Sequence, residues 1–81
     1  MLNENFIELY KKLEALIGYC YEKYKEKFTD IERENCELYL YEQGEYEEAL
    51  TNLVATLEDH KIILDQESKD KIMEAKKLMN L

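Results

Sequence analysis

Proline is absent from this 81-residue chain, and glycine occurs only at Gly18 and Gly44. Strand-rich folds of this size need turn residues at regular spacing, whereas helices need few breakers, so the chain is directed to a helical fold. A chain this short makes one domain, spanning 1–81. It buries only about 60–65% of the surface exposed by its unfolded form, which argues against a deep, enclosed pocket. Hydrophobic residues make up 46% and charged residues 37%, enough apolar material for one core beneath a charged skin.

Apolar spacing divides the chain into about four helices, an all-α small compact bundle. The first, over about 5–27, places Phe6, Leu9, Leu13, Leu16, Ile17, Cys20 and Tyr24 on one stripe. Tyr10, Tyr21 and Phe28 widen it. Gly18 interrupts this pattern at a cost of roughly 1 kcal/mol relative to alanine, and marks either a kink or a close helix contact. Thr29-Asp30-Ile31-Glu32 reads as a capping box opening a second helix over 30–43. Gly44 then serves as its left-handed C-terminal cap.

A third helix, over 45–60, carries Tyr46, Ala49, Leu50, Leu53, Val54 and Leu57 without a break in the helical series. Glu47 and Glu48 stand in its first turns, where the exposed amides favour negative charge. Lys61-Ile62-Ile63-Leu64 reads as an extended connector crossing the bundle. Asp65 caps a fourth helix over 66–79, with Ile72, Ala75 and Met79 inward and Leu78 at the edge. Short connections after the first two helices make those neighbours antiparallel.

Catalytic and metal chemistry finds little to work with. His60 is the single histidine, which excludes sites needing two or three imidazoles. Leu57 stands three residues before it, so the Glu-x-x-His pattern of carboxylate-bridged di-iron bundles fails. His60 reads instead as a helix C-terminal residue favoured by the dipole. Cys20 and Cys36, 16 apart, match neither CxxC nor a zinc pattern. A disulfide between them is geometrically conceivable in an antiparallel hairpin, but two small core thiols are the simpler reading. No serine triad, P-loop or dinucleotide fingerprint is present. The expectation is a protein that is not an enzyme, with no catalytic residues, no cofactor and no metal.

Net charge is −8, and its placement matters more than its size. Residues 1–28 hold five acids and five lysines, and residues 61–81 hold four acids and five lysines. Residues 29–60 hold ten acids against Arg33 alone, giving −9. Glu42, Glu45, Glu47 and Glu48 cluster around Gly44, interleaved with Tyr39, Tyr41 and Tyr46. Carboxylates steer a basic partner, and tyrosine supplies rigid contact area with a polar tip. These seven residues are the candidate partner-binding surface, although the place of Tyr46 in the third helix's apolar stripe suits it to the core better than to an interface. Nucleic acid and anionic membranes are disfavoured as direct ligands, because both need clustered lysine and arginine. The N-terminus, Met1-Leu2-Asn3-Glu4-Asn5, lacks a basic stretch followed by an apolar run, and no stretch of about 18 apolar residues occurs. A cytoplasmic location is expected.

Gly44-Glu45-Tyr46, followed by Ala49-Leu50, Leu53, Leu57-Glu58, Ile62, Leu64 and a closing helix, resembles the MafI-type immunity proteins of polymorphic-toxin and contact-dependent growth inhibition systems. The resemblance covers about residues 38–81. It implies a small helical cytosolic antitoxin that binds a toxin's C-terminal catalytic domain, often a tRNA-cleaving ribonuclease, and blocks it. Tyr41 to Leu50 is also similar to the helix–turn–helix junction of a tetratricopeptide repeat. Stepping 34 residues from Gly44 reaches Tyr10 and Leu78, where the pattern does not recur. A helical adaptor for another protein is therefore the alternative expectation.

Overall fold

The computed structural model describes residues 4–81, with side chains from Phe6 onward. Met1, Leu2 and Asn3, and with them part of the N-terminal stretch read above for a leader, lie outside the described residues. Four α-helices follow in order: α1 Glu4–Tyr24, α2 Asp30–Glu37, α3 Tyr46–Asp59 and α4 Gln66–Leu78. A 3-10 turn, Lys25–Lys27, follows α1, and a π-helical turn, Leu38–Glu42, follows α2. No strand forms among the described residues, so the chain is a small all-α bundle as the spacing predicts.

The longest helix organises the others, with α1 packing against α4, α3 and the π-helical turn. Its inward stripe, Leu13, Leu16, Ile17, Cys20, Tyr21 and Tyr24, is buried against Leu40, against Ala49, Leu50, Leu53 and Leu57 of α3, and against Ile72 and Ala75 of α4. The predicted stripe begins earlier than the buried one. Phe6 is 47% exposed and Leu9 only half-buried. Length explains this: 21 residues of α1 rise about 31 Å, against roughly 20 Å for α3 or α4, so its first turns outrun their neighbours. Tyr46 and Val54 of the predicted α3 stripe, and Met79 of α4, are likewise half-buried at the core's edge.

Local chemistry sets most helix ends. The Thr29 hydroxyl accepts from the Glu32 amide at 3.2 Å, and Glu32 accepts from the Thr29 amide at 2.8 Å, completing the expected capping box. In the connector, Ile62 and Leu64 lie against the core and Ile63 faces outward, but Lys61 is not extended as expected. Lys61 takes a left-handed conformation, φ 53°, where Ile62 donates to the Leu57 carbonyl. Asp65 caps α4 by accepting from the Ser68 amide at 2.8 Å and also pairs with Lys23.

Those two partners pull the Asp65 carboxyl from its ordinary 3.8 down to about 2, with Lys23 the larger cause. A depressed acid stabilises the fold above its unfolded pKa, and that contribution disappears as pH falls through its folded pKa. Asp65→Asn should therefore lower the urea midpoint at pH 6, and the gap from the parent protein should close by about pH 2.

The end of α2 departs from the expectation of a regular helix to residue 43. Gln43 donates to the Leu38 carbonyl at 2.8 Å, a five-residue step, and Glu45 donates to Tyr39 at 2.8 Å, one residue wider than the usual Schellman closure. Gly44 follows in the left-handed region at φ 60°. Any β-carbon is strained in that region, so Gly44→Ala should destabilise the protein by about 1–2 kcal/mol. Urea titration with an unchanged slope would register the loss.

Candidate protein-binding surface

Gly18 resolves as a close contact. The α1 helix runs through it unbroken, and a β-carbon there would stand 3.1 Å from the Tyr41 hydroxyl. The widened turn after α2 carries Tyr41 onto this bare patch of α1. There its Oη donates to Glu22 Oε2 at 3.1 Å, and its ring meets Tyr21 edge-on at 6.3 Å. Tyr41 nonetheless remains 43% exposed. Burial, followed by the Glu22 hydrogen bond, pushes its phenol up to about 12. Glu22 is itself lowered, chiefly by Lys25 at 2.6 Å and also by Tyr41.

The other expected residues separate into anchored and free groups. Tyr39 is half-buried against the core. Tyr46 is also half-buried, its ring 5.8 Å from that of Tyr10 and its Oη 3.4 Å from Glu14 Oε2. Glu42, Glu45, Glu47 and Glu48 are exposed, and no ion pair found among the described residues includes any of them. Glu42 borders a shallow hollow with Glu34, Glu37 and Leu38.

The remaining glutamates do not share one face. Glu48 falls in the helical row of Asn52, which reaches Cys36 of α2. Glu47 falls in the row of Thr51, Val54 and Glu58, which borders α4.

Arg33 forms no ion pair with these glutamates. It pairs with Asp30 and donates to the carbonyls of Lys25 at 3.1 Å and Phe28 at 2.7 Å, holding the turn between α1 and α2. His60 lies just past α3, stacked on Phe28 with centroids 5.9 Å apart and its Nε2 2.7 Å from Glu32. It ties the end of α3 to the start of α2. Both cysteines are free and buried, with different neighbours: Cys20 faces the Ser68 carbonyl of α4, and Cys36 faces Asn52 of α3. Burial pushes each thiol up to about 11.

Sequence reasoning missed two residues of this surface, Glu14 and Glu22. Counted by segment, the stretch 1–28 is neutral. By face it is not, because Lys12 pairs with Glu74 and Lys23 with Asp65, both beside α4, while Glu14 and Glu22 reach Tyr46 and Tyr41. The i, i+4, i+8 spacing of Glu14, Gly18 and Glu22 was the available signal.

Elsewhere the surface offers open grooves. One of about 300 Å³ lies between α3 and α4, lined by Val54, Leu57, Ile62, Leu64 and Ile72. No helix among the described residues is long and apolar enough to cross a membrane. No three of their His, Cys, Asp and Glu side chains gather as metal ligands. Compared with known proteins, the chain matches no family model, no curated protein and no solved structure.

Proposed function

We propose that this chain is an immunity protein, an antitoxin that binds the C-terminal nuclease domain of a cognate secreted toxin and covers its basic RNA-binding cleft. The observation that carries the reading is the unpaired acidic surface around the Gly44 turn. Glu42, Glu45, Glu47 and Glu48 are exposed on the faces that flank this turn and enter no ion pair found among the described residues, and Tyr41 is exposed as well. Unneutralised carboxylates accelerate encounter with a basic surface, and tyrosine gives the contact rigid area at low entropic cost.

The resemblance of residues 38–81 to MafI-type immunity proteins supplies the finer identity of the partner, a tRNA-cleaving toxin in a polymorphic-toxin or contact-dependent growth inhibition system. Occlusion requires no chemistry from the inhibitor. An interface of about 800 Å² per partner is a substantial share of the protein's 5641 Å² surface, so α1 contributes to it alongside α2 and α3.

The test is coexpression. The toxin domain encoded beside this gene is induced with and without the protein, and growth, tRNA integrity and copurification at low salt are measured. Rescue with an intact tRNA pool is expected. Growth arrest despite accumulation of the folded protein, or failure of the two to associate, overturns the reading.

A further inference from the structure

Tyr10, Glu14, Gly18 and Glu22 recur every four residues and form one row along α1. Two rings from other parts of the chain join that row. Tyr46 packs on Tyr10 and reaches Glu14, and Tyr41 fills the space over Gly18 and reaches Glu22. Aromatic rings and carboxylates therefore alternate along the helix. Tyr10, one turn before Glu14, and Tyr41, hydrogen-bonded to Glu22, keep 37% and 43% of their surfaces exposed. Glu14 and Glu22 are separated by eight residues, roughly 12 Å of helical rise.

A bare acidic surface attracts lysine and arginine alike, but a carboxylate beside an accessible ring does not treat them equally. The guanidinium is flat and weakly hydrated, so it stacks on the ring while its fork meets the two carboxylate oxygens. An ammonium keeps its hydration and gains little from the ring. We propose that this row selects arginine over lysine, and that the occupant of the acidic docking surface is an arginine-bearing polypeptide segment contacting Glu14 and Glu22. The inference rests on the docking reading above and specifies its partner.

Spacing and local chemistry fit this occupant. Side chains four apart on an extended strand stand roughly 13 Å from each other, close to the separation of the two carboxylates. The raised phenol of Tyr41 stays protonated at neutral pH and so holds Glu22 in place as a neutral donor. Lys25 already contacts Glu22 Oε1 at 2.6 Å. That exposed i, i+3 pair is weak, and an arriving guanidinium replaces it.

The experiment is a titration of the full isotope-labelled chain, followed by NMR at low salt. Two capped glycine peptides are compared, one carrying arginine at its second and sixth positions and the other lysine at the same places. The arginine peptide should bind about three- to fivefold tighter, with the largest shifts around Glu22 and Tyr41. Tyr41→Leu should erase that preference, whereas Tyr41→Phe, which keeps the ring and loses only the hydrogen bond to Glu22, should retain it. Glu22→Gln, which alters no apolar packing, should weaken both. Equal binding of the two peptides to the parent protein overturns arginine selection but leaves the docking reading intact. Absence of shifts with either peptide also overturns it, the docking reading being decided separately by toxin rescue.

Discussion

Leu53→Ala should lower the unfolding free energy by about 3 kcal/mol, the middle of the range for emptying a buried leucine site. Leu53 is 1% exposed in the middle of α3 and belongs to the core cluster. The loss combines the transfer energy of the removed methyl groups with the cavity they leave. A domain of this length has a total stability of about 4–12 kcal/mol, so a large fraction disappears. Thermal unfolding followed by circular dichroism should shift down by roughly 12–24 °C. Met73, 67% exposed on α4, supplies the contrast: Met73→Ala should stay within about 0.5 kcal/mol. A Leu53→Ala loss as small as that of Met73→Ala would mean that the core is not packed as described.

Changing Glu45, Glu47 and Glu48 to lysine should slow association with the toxin domain by at least about tenfold at low salt and flatten its salt dependence. Each reversal adds two charges, so net charge moves from −8 to −2. Stopped-flow or surface-capture kinetics at low and physiological ionic strength provide the measurement. The lysines also stand at the start of α3, where the helix dipole disfavours them, so a melting curve must accompany the kinetics. Placement is tested by making the same change on α4, at Glu67, Asp70 and Glu74. Equal slowing by both triple variants would assign the effect to overall charge and move the interface away from the Gly44 turn.

Helix boundaries were legible wherever one residue's chemistry decides them. Thr29 with Glu32, Asp65 and Gly44 each satisfy orphaned backbone groups through a side chain or a left-handed φ, and each stands where expected. Two features escaped because no residue type announces them. The π-helical turn follows from where Leu40 and Tyr41 must sit against α1, a tertiary demand. Lysine at φ 53° is disfavoured on its own and persists because Ile62 and Lys61 close the end of α3 with backbone hydrogen bonds.

The candidate surface was half legible. Glutamates flanking Gly44 are adjacent in sequence, so their cluster was apparent. The contribution of α1 was hidden by the zero net charge of residues 1–28, since Lys12 and Lys23 turn toward α4 while Glu14 and Glu22 meet Tyr46 and Tyr41.

The separated cysteines turn the bundle into its own reporter. Alkylating agents attack the thiolate, and both thiols are held almost wholly protonated at neutral pH in sites closed to reagent. Labelling must therefore wait for a local or global opening. Cys20 is sealed by α4 and Cys36 by α3, so their separate labelling rates time the release of each helix from the rest. A bound partner that clamps α2 and α3 together should retard Cys36 before it retards Cys20.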